Sequence, residues 1–389
     1  GTNELKNLII DEAFRIQHSD QLETFYRYNF SGQSVPSVSV HDHNIEVGLR
    51  HQLYESLISA VKVNGEFKDS NTLNQRVKGA SLEEDYQKHI GPSILRLGWG
   101  YKYEQERRQA EDSIINIVNE NHTLIDGAVT LLNETNVDVS TIVVTDASGT
   151  TVYIKNFDYQ ILELSSGSIR LQRISGGSIH NGGTVLVGYI FRLDPALSFS
   201  TTQDNYRLSL GFFADSLRFY YQLRRQGHPE QEGGQTTILE NFDDTITGYE
   251  WNWQNGGLST EYENYDSNLS PYQALRFREN VGWPLSSQSR LDLYAFQNFI
   301  NFEEYNQNNF EVRGDYAYRL SPSAVLNLES GYRLQKGNGV DLKNYTSKIK
   351  YRLDFRAFSL DTRYEYQREV FFGEFRQNHY FLSTFNRDF

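Results

Sequence analysis

The chain has 389 residues, a net charge of −13, 14% aromatic residues, no Cys and no Met. The negative charge argues against nucleic acid as a partner, and the lack of Cys excludes a disulfide framework. No run of about 18 apolar residues occurs, which excludes a transmembrane helix. The many large rings contrast with a mean hydropathy of −0.60, a combination typical of strands with one face toward lipid and one toward water.

Residues 1–40 are predicted to form an N-terminal helix and a lead-in segment. Within 3–18 the apolar residues fall roughly on one stripe at helical spacing. These residues are Leu5, Leu8, Ile9, Ala13, Phe14 and Ile16. Two interpretations stay open: a helix that packs at a terminus, and a helix that plugs or lines a lumen.

Residues 41–109 are predicted to contribute the first strands of a barrel, at 44–53, 57–68 and 93–107. In the last of these, apolar residues alternate with polar or small ones along the chain. The apolar set is Leu95, Leu97, Trp99, Tyr101 and Tyr103, opposite Arg96, Gly98, Gly100, Lys102 and Glu104. Successive side chains of a strand point to opposite faces, so this pattern indicates one apolar and one polar face.

Residues 110–195 are predicted to be an inserted small β-domain, because charge thins out and β-branched residues become frequent. Its turn residues include Asp158-Tyr159, Gly167 and Asn181-Gly182-Gly183, followed by the strand Val185–Tyr189. This pattern resembles a small all-β module that recurs in bacterial surface and phage proteins. The resemblance implies a fold and no chemistry. Alternating strand directions, counted back from a periplasmic chain end, predict that the module lies outside the cell.

Residues 196–389 are predicted to supply the remaining barrel strands, because two-residue periodicity recurs throughout. Short turns such as Ser321-Pro322-Ser323 are expected at one end. Longer polar loops are expected at the other end, at 226–246, 266–271, 303–309, 336–344 and 370–378. The sequence therefore predicts an all-β fold: a transmembrane antiparallel β-barrel of about 14 strands, within about 12–16.

The C-terminal residues Phe385 and Phe389, in an alternating strand, resemble the assembly signal of Gram-negative outer-membrane β-barrel (porin-like) proteins. Such a strand offers a free edge to an insertion machine by strand addition. The resemblance implies integral outer-membrane location and contacts with lipid, lipopolysaccharide and the barrel-assembly machinery. The absence of an initiator Met predicts that a signal peptide has been removed. An envelope partner protein is a further expectation. The alternative fold is a secreted β-sandwich or β-solenoid.

The polar faces of the predicted strands carry many basic residues, which we predict to line the lumen. They are Arg207, Arg218, Arg224, Arg276, Arg278, Arg313, Arg319, Arg333, Lys350, Arg352, Arg356 and Arg363. They outnumber the acidic residues on the same faces about two to one. Rings of Arg select anions in pores. Cross-strand ion pairs would instead give a lumen lined by charged side chains with little net charge. Both interpretations stay open, and neutral sugars are not excluded as solutes.

Three functions follow from this fold: a channel (a porin or an export conduit for a polymer), a non-conducting anchor for a surface domain, and a sleeve for a cytochrome. About 14 strands are too narrow for the sleeve. His41 and His43 share one face of an extended segment, but without a third ligand we expect no metal site. His228 and His379 lie near predicted outer loops without a catalytic motif. We therefore expect no enzyme activity, no catalytic residue and no cofactor.

Overall fold

A computed structural model describes residues 6–35, 38–70, 73–110, 114–125, 130–155, 158–163, 168–174, 177–192, 196–233, 238–303, 306–337, 340–355, 358–371 and 373–387. Most of these residues belong to strands. Within these ranges, no helix is long and apolar enough to cross a membrane.

The main feature of the fold is an 18-stranded sheet built from both ends of the chain. Its N-terminal strands are β1 (Lys6–Ser19), β2 (Leu22–Val35), β3 (Val38–Leu53), β4 (Leu57–Ser70), β5 (Leu73–Ile90) and β6 (Ser93–Ala110). Its C-terminal strands are β13 (Ala196–Phe212), β14 (Leu217–Gly227), β15 (Gln231–Gly233), β16 (Phe242–Trp253), β17 (Gly256–Ser267), β18 (Tyr272–Pro284), β19 (Ser289–Phe302), β20 (Asn306–Ser321), β21 (Ala324–Gly337), β22 (Val340–Phe355), β23 (Phe358–Phe371) and β24 (Glu374–Arg387).

Neighbouring strands of this sheet are antiparallel, and most follow one another along the chain. The exceptions are β6, which pairs with β13 across the intervening segment, and β15, which pairs with β13 beyond the end of β14. Among the described residues, no pairing joins β1 to β24. The predicted closed barrel is therefore not formed by the described strands, because β1 and β24 do not pair with each other.

The predicted N-terminal helix is wrong, because the segment forms strand β1. Residues Lys6 to Gln17 pair residue by residue with β2 from Ser34 to Glu23. Leu8, Ile10 and Phe14 then share one face, which a two-residue period explains as well as a helical one does. The hydrogen bonds to β2 decide between the two periods.

The predicted count of about 14 strands is also wrong, because four strands were not assigned from the sequence. They are β1, β2, β5 and the short β15. Strands β2 and β5 lie largely in 20–40 and 70–92, where apolar and polar residues do not alternate cleanly. Their partners on both sides, rather than their own pattern, hold them in the sheet.

Several predicted loops contain strand residues as well. Strand β20 begins at Asn306, β21 continues to Gly337, and β22 begins at Val340. Segments 303–309 and 336–344 are rich in Asn, Gly and Lys, which predicted loops. Cross-strand hydrogen bonding extends the ladder through them instead.

The residues between β6 and β13 form two three-stranded antiparallel sheets, and in the described ranges no strand pairing joins these sheets to the large sheet. One sheet contains β7 (Ile114–Leu124), β12 (Gly183–Arg192) and β9 (Val137–Asp146). The other contains β10 (Tyr159–Glu163), β11 (Ser168–Arg173) and β8 (Thr130–Thr135). We call these two sheets the cap. The division into domains at 110 and 195 stays a prediction.

The main hydrophobic core lies between the two sheets of the cap and continues into the large sheet. Val144, Leu171 and Val187 are fully buried within the cap. Leu197 and Phe199 of β13 belong to the same cluster. The cap therefore packs directly on one end of the large sheet.

Candidate functional site: the inner face of the large sheet

Cross-strand pairing separates the large sheet into two faces of opposite character. On β21, Leu328 is 37% exposed, whereas the adjacent Glu329 contacts Lys348 across the strands. Residues directly opposite in an antiparallel pair point to the same side. The register therefore extends both faces from strand to strand. We call the face that carries Glu329 the inner face and the other the outer face.

The outer face presents large apolar side chains that are more than a third exposed. Exposed outer-face residues occur on strands across the whole sheet: Phe14, Val47, Leu49, Val61, Val63, Leu97, Tyr101, Leu208, Leu210, Phe219, Trp251, Phe277, Leu293, Phe299, Leu328, Ile349, Phe381 and Phe385. Phe385 also stacks on Phe358 at 5.5 Å between ring centroids. Phe389 lies outside the described residues.

The predicted lumen residues fall on the inner face wherever they are described. They are Arg207, Arg218, Arg224, Arg276, Arg278, Arg313, Arg319, Arg333, Lys350, Arg352 and Arg363. Arg356 lies outside the described residues. The register places these side chains on one face but does not by itself establish that the face encloses a channel.

Most of these basic residues contact a carboxylate. Arg207 Nη2 lies 3.0 Å from Asp85 Oδ1, and Arg276 Nη1 lies 2.7 Å from Glu261 Oε1. The further pairs are Arg218–Glu250, Arg224–Asp244, Arg276–Glu263, Arg313–Asp315, Arg333–Glu311, Arg352–Asp354 and Arg363–Glu365. The inner face is therefore highly charged but largely neutralised.

Sequence reasoning missed several of the acidic partners, namely Asp85, Asp244, Glu250, Glu261 and Glu263. Asp85 lies in a strand that was not assigned. It reaches Arg207 over Gly98, where an added Cβ would lie 2.8 Å from Arg207 Nε. The alternating position of the acids on their strands was the available signal.

The cap covers one end of the inner face through contacts on distant strands. Arg108 of β6 donates to both carboxylate oxygens of Glu134 in the cap, at 2.7 and 2.8 Å. The Arg170 guanidinium lies 4.4 Å from the ring centroid of Phe302 on β19. Ile174 packs against Leu342 at the start of β22. The cap therefore spans from β6 to β22 across the sheet.

Under this end of the cap, aromatic rings on the inner face line up across adjacent strands. Tyr265, Tyr272 and Phe302 occupy directly paired positions of β17, β18 and β19. Their ring centroids are separated by 5.0 Å and 5.7 Å. Phe242 of β16 stacks on Tyr265 at 5.2 Å. We call these four rings the ring row.

Four amide side chains continue the inner face beyond the ring row. Gln307 and Asn309 lie on β20, Gln335 on β21 and Asn344 on β22, and all four are buried. We call them the amide row. Sequence reasoning assigned most of it to loops, although Gln307 and Asn309 share the odd-numbered positions of the inner face with Glu311.

Two carboxyl groups in the cap have shifted acidities. Burial raises the pKa of Glu134, and this outweighs the opposing effect of Arg108. Burial would also raise the pKa of Glu120, but hydrogen bonds from His122, Tyr189 and the Asn133 amide lower it overall. Glu120 therefore joins β7, β8 and β12 as an ionised acceptor.

Of the histidines noted in the sequence, His41, His43 and His379 lie on outer-face positions, whereas His228 contacts the inner face at β13 and the Glu240 carbonyl. His43 Nδ1 is 2.9 Å from the Tyr28 hydroxyl, and His41 stacks on Phe30. His228 contacts Thr201, and His379 contacts Tyr364. The part of the chain that the structure describes contains no group of three or more His, Asp or Glu placed to hold a metal ion.

No protein-family model matches the chain, and no curated protein matches it. Solved structures show a distant likeness. The outer membrane transporter YddB from Escherichia coli is 8% identical with a TM-score of 0.47, over 94% of this chain and 55% of that chain. BauA, the ferric preacinetobactin receptor from Acinetobacter baumannii, is 7% identical with a TM-score of 0.47, over 99% and 66%. The siderophore receptor PirA from Pseudomonas aeruginosa is 10% identical with a TM-score of 0.43, over 99% and 70%.

This chain spans about half the length of the first of these proteins, at 55%. At such identities and TM-scores the likeness assigns neither a ligand nor an activity to this chain.

Proposed function

We propose that the protein is a transport barrel of the bacterial outer membrane, with an ion-paired interior and a cap that closes one end. The observation that carries the proposal is the contrast between the two faces of the sheet. On β4, Val61 and Val63 are 45% and 57% exposed, while Lys62 between them contacts Glu83 on the inner face. The same contrast repeats on strands throughout the sheet.

A lipid bilayer explains this contrast better than water does. Exposed apolar patches on soluble monomers are usually confined to a few hundred Å², whereas here they follow the outer face of successive strands. In lipid, apolar side chains belong outside, and charges need an aqueous or paired interior. The proposal requires the backbone N–H and C=O groups at the free edges of β1 and β24 to have hydrogen-bond partners in the membrane.

The position of the cap favours a gated path rather than a permanently open pore. Its contacts reach β6, β19 and β22, so it lies across the end of the inner face. The contacts with β19 and β22 can separate while the core shared with Leu197 and Phe199 of β13 holds the cap on the sheet. The cap lies at the end of the sheet opposite the short turn between β20 and β21, and because short turns of such barrels are periplasmic, we place the cap outside the cell.

Because most inner-face charges are paired, we propose a nearly neutral lumen rather than a strongly anion-selective one. Among the described residues, Arg278, Arg319 and Lys350 have no recorded carboxylate partner, whereas Arg333 and most of the others do. Any anion preference therefore rests on a few cations and not on a ring.

A non-conducting anchor is the second candidate, and one observation favours it. The cap shares a continuous core with Leu73, Leu197 and Phe199 of the large sheet. A surface module held this firmly suits a docking platform as well as a gate. Conductance separates the two functions.

The test uses the absence of Cys in the chain. Ile174→Cys with Leu342→Cys places thiols on the cap and on β22, where the parent side chains pack together. Joining them with a short bifunctional maleimide is expected to abolish the open steps seen in planar bilayers before the reaction. Equal conductance before and after would exclude gating by the cap, and no conductance in either state supports the anchor.

The matched control is Gln273→Cys with Asn301→Cys, which are paired across β18 and β19. This crosslink joins two strands of the large sheet and leaves the cap free. Conductance should then be unchanged by the reaction.

A further inference from the structure

We propose that the ring row and the amide row form a binding site for a neutral oligosaccharide on the inner face beneath the cap. The inference rests on the proposed function, because it identifies the solute that the barrel would carry. It goes further by naming the chemical class of the solute and the residues that recognise it.

The ring row supplies flat apolar surfaces held in fixed orientation. The Tyr265 hydroxyl donates to Glu240 Oε1 at 2.9 Å, and the Tyr272 hydroxyl donates to Glu263 Oε1 at 2.9 Å. Tyr265 is also stacked between Phe242 and Tyr272, so the row stays ordered through its ring contacts as well as its hydroxyls. The stacked rings together form an apolar strip against which the C–H groups of a sugar ring can pack.

In the amide row, Gln307 Nε2 donates to Asn309 Oδ1 at 3.2 Å, while three other side-chain atoms lack partners in the described part of the chain. Gln307 Oε1, Asn309 Nδ2 and Asn344 Oδ1 are buried and have no hydrogen-bond partner. Buried polar groups are nearly always paired, so an unpaired set marks a place where a ligand can supply the partners. Amides both donate and accept, as sugar hydroxyls do.

The charge around the two rows favours a neutral solute. The nearest inner-face ion pair to the amide row, Arg333 Nε with Glu311 Oε2 at 2.8 Å, is internally satisfied. The four amides carry no charge. A charged solute would leave water without gaining a free counter-charge here.

The cap and the solute compete for this surface. Arg170 covers Phe302, and Ile174 covers Leu342 next to the amide row. A solute that binds the rows therefore favours the state in which the cap has moved away. Solute binding to the rows is thus coupled to movement of the cap away from them.

The experiment measures binding of maltohexaose to the detergent-solubilised full chain by calorimetry. The charged probe is hexagalacturonate and the peptide probe is hexaglycine. We expect maltohexaose to bind and the other two not to bind. Preference for hexagalacturonate or hexaglycine, or no binding of maltohexaose by folded protein, overturns the proposal.

The variants test the rows one ring and one amide at a time. Tyr265→Leu and Asn309→Leu should each weaken maltohexaose binding about tenfold, whereas Tyr265→Phe keeps the ring and should retain it. Tyr262→Leu, on the outer face of the same strand, is the matched control and should bind normally. Equal loss in Tyr262→Leu would place the site elsewhere.

Two measurements keep this inference separate from the proposed function. Heat-modifiable migration and insertion into liposomes report the folded barrel, and each variant is compared on that basis. A barrel that inserts but does not bind maltohexaose refutes the sugar site alone. A chain that binds maltohexaose but never inserts refutes the membrane barrel and leaves the site standing.

Discussion

At the scale of single residues, alternation placed the described basic side chains on one face without placing their partners. Arg333 and Arg352 could be assigned because the side-chain period of a strand is two. The contact between Arg207 and Asp85 could not, because it joins residues 122 positions apart through a strand that was not assigned. Partner identity depends on register between distant strands, which no local pattern encodes.

Glu120 gives a prediction at this scale. Its pKa is lowered in the folded cap, so its contribution to stability is present above the unfolded value of about 4.3 and is lost as pH falls through the lower folded value. Glu120→Gln should destabilise the cap by about 1–3 kcal/mol near neutral pH and reduce its acid sensitivity. Hydrogen exchange of β7, β8 and β12 measures this.

The control for this prediction is Glu230→Gln, an exposed residue outside the cap. It should leave exchange in the three strands unchanged. If Glu120→Gln kept the acid sensitivity of the parent chain, another group would be responsible.

At the scale of elements, regular strands were predicted well and polar or irregular ones poorly. Strands β4 and β6, predicted at 57–68 and 93–107, were located to within a few residues. β1 was mistaken for a helix because its apolar residues fit both periods. Most of the amide row was assigned to loops because Asn and Gly are usual in turns. The site proposed for sugars thus lies where local propensity and the sheet disagree.

The outer face gives a prediction for one element, β4. Val63→Arg puts a charge on an exposed apolar position that we place in lipid. It should lower stability by about 2–4 kcal/mol if it lies near the bilayer midplane, and less toward the edges. Unfolding by urea in liposomes measures the change.

The matched control is Asn64→Arg, one residue along the same strand, where the side chain faces Glu104 on the inner face. The larger side chain there meets carboxylates and should be tolerated better than Val63→Arg. If both substitutions were equally mild, the outer face would be in contact with water and not with lipid.

At the scale of the whole molecule, the all-β class and one large antiparallel sheet followed from composition and period. Barrel closure and strand number could not be predicted from the sequence. They depend on the edge strands β1 and β24 and on strands such as β2 and β5, in which apolar and polar residues do not alternate cleanly. The pairing of β6 with β13 brings the two parts of the sheet together and leaves the intervening residues at one end. That placement gives the cap its position over the inner face.

The last prediction concerns selectivity of the whole interior. If most inner-face charges are paired, reversal potentials in a salt gradient should show only a small anion preference, because close pairs cancel at a distance. Arg278→Gln, Arg319→Gln and Lys350→Gln together should remove that preference. The matched double substitution Arg333→Gln with Glu311→Gln deletes a complete pair and should leave the potential nearly unchanged. A strong anion preference that survives the triple change, or one that falls with the paired change, would show that the ion pairs do not neutralise the lumen.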